Sequence, residues 1–449
     1  MTKVITYGTY DLLHQGHINL LRRAKELGDY LIVGVTSDSF DKGRGKLNVR
    51  NNVLERVEAV RKTGYADEII IEDYLGQKID DIQKYNVDIF AIGSDWEGLF
   101  DYLNEFTKVV YLPRTEGISS TMLRAETTTD VKVGVIGCGR VANRFPLEAG
   151  VVNGIVITAC FDTNADAMND YARTFEGVKA CANVDMLLNE VDAVYIATPH
   201  LTHYEYIKLA INAGKHVLVE TPMELKGDRA RECFELAEQK GIILMEANKT
   251  AHCPAFNHLM VMIKSGVIGE VVDVEASLSK LWDDDMTLRE FDPEQAGGSL
   301  YELGSYPLLP IIRLLGCKYE NLNIYSRMKD GVDMYTKGEF RFEHAVCSFK
   351  VGLGVKTEGN LVISGTKGYA YVPAPWWKTD YFELRYEDQN KNQKFFYKWD
   401  GAGLRYEIQE FISCVVNKRF STARLRRRES VCMAEIMQAF TERKNFFEI

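Results

Sequence analysis

The chain of 449 residues lacks features that define several special classes of protein. Its nine cysteines include no C-x-x-C pair, and none precedes Cys138, so the sequence predicts neither a zinc site nor a disulfide framework. No stretch reaches the roughly 20 consecutive apolar residues that a membrane span requires. No apolar signal segment precedes the first strand pattern. We therefore expect a cytoplasmic protein that has no membrane partner.

An excess of positive charge is also missing. The formal net charge is -10, and the dense basic run Arg424–Arg428 is short enough to be a solvated or acid-paired face. This balance argues against a nucleic-acid partner. It still allows phosphate ligands, because a pocket needs only a few local cations and backbone N–H groups.

The pattern of apolar residues divides the chain into three folded segments. Length alone predicts two or three domains. Short Val- and Ile-rich runs alternate with amphipathic stretches in residues 1–125 and again in 131–252, which predicts α/β domains with parallel sheets. Residues 126–130 form a polar linker between them. Residues 253–449 have longer alternating strands, which predict an α+β domain with an open, mainly antiparallel sheet.

The individual elements are predicted as follows. In the first segment we expect strands at Val4–Tyr7, Tyr30–Val35, Glu68–Ile71, Asp88–Ile92 and Lys108–Leu112, with helices at Ile18–Leu27 and Asn52–Lys62. In the last segment we expect strands at Val271–Lys280, Gly338–Phe342, Val346–Val351, Gly359–Ser364, Phe382–Tyr386 and Lys394–Lys398. Two helices, near Tyr406–Val416 and Glu429–Arg443, are expected to close the chain.

The first candidate site follows the first strand. Gly8 lets backbone N–H groups approach a phosphate, and the following helix start adds partial positive charge. His14 and His17 lie three residues apart there, so both can face one bound group and donate hydrogen bonds to a crowded phosphate. Two histidines are too few for a closed metal site, and we expect no metal held by protein ligands alone.

A second candidate anion site lies at Arg114–Thr121. A cation, a glycine turn and hydroxyl caps opening a helix make up this run. Taken alone, the run also fits an ordinary capping box.

Together these motifs resemble the glycerol-3-phosphate cytidylyltransferases over residues 1–124, including the run Gly93–Gly98. The resemblance implies a Rossmann-like nucleotidyltransferase domain in which a substrate phosphate attacks the α-phosphate of CTP, with Mg²⁺, releasing pyrophosphate. It implies catalytic roles for His14, His17, Lys46 and Arg114, with Lys46 in a Gly-rich loop that closes over substrate. It also implies contacts with CTP by Gly8, Thr9, Tyr10, Asp11, Gly16, Arg56, Asp95, Thr115, Ile118, Ser119 and Thr121.

A second glycine-rich turn follows the strand at Val131–Ile136. Gly137, Gly139 and Ala142 form a G-x-G-x-x-A pattern between a strand and a helix. The next strand, Ile155–Phe161, ends at Asp162, whose carboxylate can bind a ribose hydroxyl and would repel a 2′-phosphate. The pattern predicts a dinucleotide site that favours NAD(H) over NADP(H).

Three further motifs, Ala197–His203, Val219–Pro222 and Gly297–Tyr306, resemble the glucose–fructose oxidoreductase / inositol dehydrogenase (GFO/IDH/MocA) family over residues 131–449. The resemblance implies a classical NAD-binding Rossmann domain and hydride transfer between nicotinamide and a sugar or polyol carbon. It implies cofactor contacts by Gly137, Gly139, Arg140, Val141, Ala142, Asp162, Thr198, Pro199, His203, Glu220 and Thr221. Tyr306 would be catalytic, and Lys249 and Glu302 are candidates for substrate contact or proton transfer.

The chain departs from that family at two positions. Thr221 stands where members usually have a lysine, and it cannot supply a cation. Tyr306 stands where many members have histidine; a phenol can exchange a proton if a cation lowers its pKa. The nearest candidate cation is Lys249, for which a surface position is the alternative. His203 and His252 fit packing or capping better than catalysis.

These observations leave three hypotheses. A bifunctional enzyme would reduce a keto- or aldo-sugar phosphate to a polyol phosphate and activate it as a CDP-polyol such as CDP-glycerol, a precursor for a cell-surface polymer. Alternatively, the NAD-binding part is catalytically weak and serves regulation or assembly, which Thr221 favours. In a third case the two halves act on unrelated molecules. Family habit predicts a homo-oligomer, either a dimer or a tetramer.

Overall fold

The computed structural model describes residues 1–43, 49, 51–74, 76–113, 130–281 and 288–449. The chain divides into two compact units, Met1–Asp130 and Val131–Ile449. All nine cysteines are free thiols. Within the described ranges, no helix is both long and apolar enough to cross a bilayer.

The first unit is built on a parallel sheet of five strands. The strands are β1 (Lys3–Gly8), β2 (Tyr30–Thr36), β3 (Glu68–Glu72), β4 (Ile89–Gly93) and β5 (Lys108–Leu112), and the helices are α1 (Gln15–Lys25), α2 (Asp38–Gly43), α3 (Val53–Lys62) and α4 (Gln77–Tyr85). The strand order is β3-β2-β1-β4-β5, and all neighbouring pairs are parallel. The order reverses between β1 and β4, which makes their carboxyl ends the expected place for a ligand.

Local sequence explains where the first helices begin. His14 caps α1, and its ring accepts a hydrogen bond from the Gly16 N–H, so α1 begins at Gln15 rather than at the predicted Ile18. Asn52 and Glu55 form a reciprocal capping box at the start of α3. Helix α1 follows the turn that contains the candidate nucleotide ligands Gly8, Thr9, Tyr10 and Asp11.

The second unit begins with a six-stranded parallel sheet. Its strands are β6 (Val131–Ile136), β7 (Ile155–Phe161), β8 (Lys179–Ala180), β9 (Ala193–Ile196), β10 (His216–Glu220) and β11 (Leu244–Ala247), and its helices are α5 (Phe145–Ala149), α6 (Ala165–Thr174), α7 (Val184–Glu190), α8 (His203–Asn212) and α9 (Gly227–Gln239). The order β11-β10-β9-β6-β7-β8 is doubly wound, and it reverses between β6 and β9. The predicted parallel α/β class is confirmed for both units.

A nine-stranded mixed sheet completes the second unit. Its strands are β12 (Val271–Ser279), β13 (Asn321–Lys329), β14 (Val332–Arg341), β15 (Val346–Gly352), β16 (Leu361–Gly365), β17 (Tyr369–Val372), β18 (Tyr381–Arg385), β19 (Gln393–Phe396) and β20 (Phe446–Glu448), and its helices are α10 (Lys249–His252), α11 (Pro254–Lys264), α12 (Ser299–Leu303), α13 (Ser305–Leu315), α14 (Leu404–Val416) and α15 (Arg427–Thr441). Six of its pairs are antiparallel, whereas β12–β15 and β13–β20 are parallel. The predicted open, mainly antiparallel sheet is confirmed.

The structure corrects the prediction at several strands. The predicted strand Gly338–Phe342 is the second half of the longer β14, and β13 and β17 were not predicted. Two helices do not close the chain, because β20 follows α15 and pairs with β13 through Ile324 and Phe446. A strand as short as β20 gives too little periodicity to be identified before its partner is known.

Asp333 anchors the start of the helix that contains Glu302. Its Oδ2 accepts hydrogen bonds from the Ser299 hydroxyl at 2.6 Å, the Leu300 N–H at 2.9 Å and the Thr336 hydroxyl at 2.6 Å. A side chain at Gly298, whose φ is +119°, would collide with the same carboxylate. Burial raises the pKa of Asp333 to about 6 despite these hydrogen bonds.

We predict that Asp333→Asn makes the second unit more stable at pH 8. A carboxyl whose pKa is higher in the folded state favours folding when protonated, and that stability is lost as pH rises from about 4 to about 6. Asparagine keeps the acceptor and removes the charge, so we expect a gain of about 1–3 kcal/mol at pH 8 and a flatter pH profile. Urea unfolding followed by tryptophan fluorescence measures this, with the exposed Asp330→Asn as control; a loss of stability at pH 8 would contradict it.

Candidate active sites

The turn after β1 is tightly packed. A Cβ at Gly8 would lie 2.9 Å from the Tyr10 ring, so this position requires glycine. Tyr10 and Leu12 have φ values of 54° and 45°, which places two non-glycine residues in the left-handed region. Thr9, Tyr10 and Asp11 are buried, and Asp11 accepts a hydrogen bond from the Asn51 N–H at 3.0 Å. The turn is therefore fixed by the fold rather than shaped by a ligand.

The two histidines face each other at the start of α1. Their rings stack with centroids 3.9 Å apart and an interplanar angle of 23°. His14 Nδ1 accepts the Gly16 N–H at 3.1 Å, so a neutral His14 has its proton on Nε2, which is then a donor. Gly16 thus contributes through its backbone. The structure brings together His14, His17 and the Gly8 turn at the switch point of the sheet.

Arg56 is a buried hub, which corrects the expectation that it contacts CTP directly. Its side chain is fully buried, and it donates to the carbonyl oxygens of Thr9 at 2.9 Å and Thr36 at 2.8 Å. It also donates to Asn51 O and forms ion pairs with Asp38 at 2.5 Å and Asp41 at 3.3 Å. Arg56 therefore positions the nucleotide turn from behind.

Several predicted CTP residues are not placed by the structure. Lys46, Arg114, Thr115, Ile118, Ser119 and Thr121 lie outside the described residues. Asp95 belongs to a 3-10 turn, Ser94–Trp96, that follows β4 at the same sheet edge as Gly8. Among the residues that are described, no group of three or more His, Cys, Asp or Glu side chains is arranged to hold a metal ion.

We predict that Arg56→Lys sharply weakens the first unit and its activity. A lysine cannot reproduce the fork that reaches Thr9, Thr36 and Asn51, and it leaves the buried Asp41 poorly compensated. We expect a loss of about 3–5 kcal/mol in unfolding free energy and a large fall in CTP-dependent pyrophosphate release. Chemical unfolding and a pyrophosphate assay check this. The exposed Arg61→Lys is the control. Equal stability and equal pyrophosphate release in the two variants would refute the role of Arg56 in holding the turn.

The second unit contains a cavity of about 1230 Å³ at the carboxyl ends of β6, β9 and β10. From the Rossmann part it is lined by Gly137, Gly139, Arg140, Val141, Arg144, Asp162, Thr198, Pro199, His200, His203, Glu220, Thr221 and Lys249. From the mixed-sheet part it is lined by Lys280, Arg289, Glu290, Glu302, Tyr306, Lys356 and Trp377, among others. Most of the predicted cofactor residues thus line one cavity.

The glycine turn of this cavity fits a dinucleotide. Gly137 has a φ of +93°, and a Cβ there would lie 2.6 Å from Ala197 O. A Cβ at Gly139 would meet nothing within 4 Å, so there is room for a phosphate beside the backbone. Asn143 Nδ2 holds the turn through Cys138 O at 3.1 Å and Gly139 O at 2.9 Å. The helix predicted next is shorter than expected: a 3-10 turn, Ala142–Arg144, precedes the five-residue α5, and Ala142 is buried.

Asp162 is bound to the glycine turn. Its Oδ2 accepts the Cys138 N–H at 2.7 Å, and its Oδ1 accepts the Asn164 N–H at 2.7 Å. The carboxylate also lines the cavity, so it presents negative charge at the end of β7. This is the position at which a dinucleotide ribose binds in such folds.

Buried carboxylates surround the end of the cavity near Tyr306. Tyr195 donates a hydrogen bond to Glu220, and the Thr221 hydroxyl donates to Glu246 at 2.7 Å. Burial and the nearby Glu220, Glu407 and Glu246 hold the pKa of Tyr306 well above its usual value. This corrects the expectation of a lowered pKa, because burial, and after it the three carboxyl groups, disfavour the phenolate. Lys249 is half-buried and lines the cavity, so it is not a surface lysine.

The structure does not support direct cofactor contact by His203. Its ring is fully buried, with Nδ1 at 2.9 Å from Pro222 O and Nε2 at 2.8 Å from Thr198 O. Burial lowers the pKa of His203 to about 4. His203 therefore fixes the two loops that line the cavity. His252 is also fully buried, in agreement with a packing role.

The predicted candidate Glu302 belongs to a polar group on the cavity wall whose other members, Arg289 and His200, were not named as site residues. Glu302 Oε1 accepts from Arg289 at 2.8 Å and lies 3.0 Å from His200 Nε2. These contacts lower the pKa of Glu302 against the effect of burial, so Glu302 is ionised. Glu407, which lies on α14, was missed as well. His200 lies within the quoted Ala197–His203 motif, whereas no signal in the sequence points to Arg289 or Glu407.

Three protein-family models match successive parts of the chain. Residues 5–126 match the model described as cytidylyltransferase-like. Residues 131–248 match the oxidoreductase family with an NAD-binding Rossmann fold, and residues 256–371 match the GFO/IDH/MocA C-terminal domain.

Individual relatives are similar over the corresponding parts. Glycerol-3-phosphate cytidylyltransferase of Staphylococcus aureus is 50% identical over 128 residues, which are 28% of this chain and 95% of that protein. The scyllo-inositol 2-dehydrogenase (NADP(+)) of Bacillus subtilis is 25% identical over 317 residues, which are 69% of this chain and 95% of that protein. A crystal structure of KijD10, a 3-ketoreductase from Actinomadura kijaniata, in complex with NADP and TDP-benzene, is similar with a TM-score of 0.63 at 24% identity, covering 71% of this chain and 99% of the other.

Proposed function

We propose that the two units of this chain act in sequence on one metabolite. The first unit belongs to the cytidylyltransferase-like family, and the second belongs to the GFO/IDH/MocA oxidoreductase family. The second unit is an NAD(P)-binding oxidoreductase domain that reduces a keto- or aldo-sugar phosphate to a polyol phosphate. The first unit transfers CMP from CTP, with Mg²⁺, to glycerol phosphate or a longer polyol phosphate. The products are a CDP-polyol, as a precursor for a cell-surface polymer, and pyrophosphate.

One observation carries the transferase part of the proposal. The stacked rings of His14 and His17 lie beside a turn that leaves no room for a side chain at Gly8. Two imidazole donors at this position stabilise a phosphate on which negative charge accumulates while a substrate phosphate oxygen attacks. Such chemistry needs positioning and charge stabilisation, and it needs no covalent enzyme intermediate.

The reductase part rests on the cavity of about 1230 Å³ in the second unit. The glycine turn offers backbone space for a dinucleotide, which supplies the hydride when bound. Tyr306 stays protonated at neutral pH, so its hydroxyl can hydrogen-bond to the oxygen of a carbonyl group as that group is reduced, and transfer of its proton needs a positive charge nearby. Arg144 and Lys356 also line the cavity and match a substrate that bears a phosphate group.

An alternative is that the second unit binds the dinucleotide without effective catalysis. Thr221 favours this alternative, because its hydroxyl is bound to Glu246 and supplies no charge to the cavity. The alternative predicts dinucleotide binding without turnover on any carbonyl substrate. In either case we propose a homo-oligomer, whose mass light scattering would measure.

We predict that the purified protein has two separable activities. With CTP, Mg²⁺ and a panel of polyol phosphates, it should release pyrophosphate, and with NADH and a panel of ketose and aldose phosphates, absorbance at 340 nm should fall. His17→Ala should lose at least about 100-fold in the first activity alone, because one donor to the transition state is removed. Tyr306→Phe should lose a similar factor in the second activity alone.

His17→Ala serves as the control in the NADH assay, and Tyr306→Phe serves as the control in the pyrophosphate assay. Absence of pyrophosphate across the whole panel would reject the transferase assignment. NADH binding without oxidation would establish the alternative for the second unit.

We further propose that NAD(H) is favoured over NADP(H), although the scyllo-inositol 2-dehydrogenase is named for NADP(+) and the KijD10 crystal structure contains NADP. Asp162 places a carboxylate at the end of β7, where a 2′-phosphate would be repelled.

We predict that Asp162→Asn weakens this preference. The amide removes the charge and keeps an oxygen that can accept the Cys138 N–H. The ratio of NADH to NADPH affinity should fall by about tenfold, as expected for about 1.4 kcal/mol of lost repulsion. Titration of both cofactors by fluorescence measures it, with the exposed Asp166→Asn as control. A wild-type preference for NADPH would overturn the proposal.

A further inference from the structure

The end of strand β10 contributes no positive charge to the cavity. Glu220 is the last residue of β10, and Thr221 directly after it has its hydroxyl bound to Glu246 at 2.7 Å. Glu246 also accepts the Met223 N–H at 3.2 Å, so this hydroxyl and carboxylate form a local structural pair. A cation for the site must therefore come from another element.

The adjacent strand brings a lysine to the same place. Strands β10 and β11 are parallel, with Glu220 opposite Ala247, and Lys249 follows two residues later. Parallel neighbours end at the same sheet edge, so Lys249 emerges beside Glu220 and Thr221. Lys249, Glu220, Thr221 and Tyr306 all line the one cavity.

The residues on either side of Lys249 are both held by hydrogen bonds. Asn248 is fully buried and caps α10, and its Oδ1 accepts the Ala251 N–H at 3.4 Å. The Thr250 hydroxyl donates to Trp377 O at 2.7 Å, which ties α10 to a residue of the cavity wall. A lysine on such a support has a defined direction rather than a free surface orientation.

Two carboxyl groups lie close enough to Lys249 to interact with its charge, the buried Glu407 and the partly buried Glu220. Glu220 and Glu407 both attract its ammonium group, and this attraction opposes the lowering of the Lys249 pKa by burial and by Lys378 and Arg144. Glu407 is 1% exposed, and its Oε2 has no hydrogen-bond partner among the described residues. Burial and Glu220 raise the pKa of Glu407 well above its usual value, and the positive charge of Lys249 opposes that rise.

We propose that Lys249 is a catalytic residue of the reductase site, where its ammonium group binds the substrate oxygen and offsets the charge that forms on Tyr306. This inference rests on the proposed reductase function. The substrate carbonyl carbon accepts a hydride from the reduced dinucleotide, and the carbonyl oxygen takes the proton of Tyr306. Tyr306 then regains a proton from water. Lys249 keeps its own protons throughout, so atoms and electrons balance.

The environment of Tyr306 makes such a cation necessary. Burial and three carboxylates, Glu220, Glu407 and Glu246, all disfavour the phenolate that remains after proton transfer. A positive charge in the same cavity is worth more there than in water, because the local dielectric is low. Lys249 therefore lowers the free energy of the Tyr306 phenolate, which the carboxylates raise.

The decisive variant is Lys249→Met, which keeps the length and apolar stem of the side chain. The full-length protein should lose at least about 100-fold in kcat for NADH oxidation, with a smaller change in KM. NADH affinity and CTP-dependent pyrophosphate release should stay within about twofold, which excludes misfolding. The exposed Lys240→Met removes the same group elsewhere and should change neither activity.

Chemical restoration of the amine shows whether the activity of Lys249 depends on its positive charge or on the packing of its side chain. Lys249→Cys should be as inactive as Lys249→Met, and alkylation with 2-bromoethylamine, verified by mass spectrometry, should restore activity to within about tenfold of wild type. Wild-type protein treated alike controls for modification of the other cysteines. Full modification without restoration would overturn the proposal, as would an active Lys249→Met.

A stability measurement tests the electrostatic basis without turnover. Lys249→Met should destabilise the second unit, and Glu407→Gln should remove most of that loss, which gives a coupling in a double-mutant cycle. Absence of coupling would show that Lys249 does not compensate Glu407 and would overturn the argument. If wild-type protein oxidises no NADH with any substrate, the reductase function itself fails; if it does and Lys249→Met is equally active, only the role of Lys249 fails.

Discussion

Both candidate sites depend on the close approach of backbone to ligand at the carboxyl end of a parallel strand. Gly8 after β1 and Gly137 after β6 stand at the points where their sheets reverse strand order, and neither could carry a Cβ without displacing a neighbour. A turn that leaves this much backbone open to a ligand must be held from behind by side chains. Arg56 does so for the first turn, and Asp162 with Asn143 does so for the second.

The supports behind these turns use buried charge, which makes them sensitive to single changes. The Arg56 guanidinium reaches Thr9, and Asp333 holds the start of α12. In each case one charged side chain satisfies several backbone or hydroxyl groups that water cannot reach. Removing such a group leaves buried partners unsatisfied, so the effect on the site exceeds the value of any one hydrogen bond.

What the sequence predicts well is local. The Gly8–His17 turn, the Gly137–Ala142 turn and the class of each sheet follow from residues close together in the chain, because turn chemistry and strand periodicity are set locally. The buried state of Arg56 could not be predicted, since the partners that cover it lie on other elements. A packing or capping role was predicted for His203, but not its contact with the carbonyl oxygen of Pro222, which lies beyond another strand. Glu407 and Arg289 were missed for the same reason. Glu407 interacts with Lys249 and Arg289 pairs with Glu302, and both partners lie far away in the sequence.

Position 221 has threonine where members of the oxidoreductase family usually have lysine, and the effect of that exchange depends on the residues around it. Read from the motif, Thr221 suggests a weakened site. In the structure Thr221 satisfies the buried Glu246, and Lys249 reaches the same cavity from the next strand. Where a cavity needs one cation near its reactive end, either strand can supply it. Electrostatic stabilisation depends on distance and on the local dielectric constant rather than on sequence position.

Chemistry also suggests why these two activities would share a chain. The oxygen that attacks CTP belongs to the phosphate, so the transferase does not touch the carbon that the reductase changes. A pocket that binds a substrate hydroxyl through hydrogen bonds rejects an analogue without that hydroxyl by about 10⁴-fold, because buried polar groups are then left unpaired. A transferase pocket built for a polyol therefore excludes the ketone precursor even though its phosphate is identical. Under the proposed function, reduction comes first, and the second unit supplies the polyol phosphate that the first unit accepts.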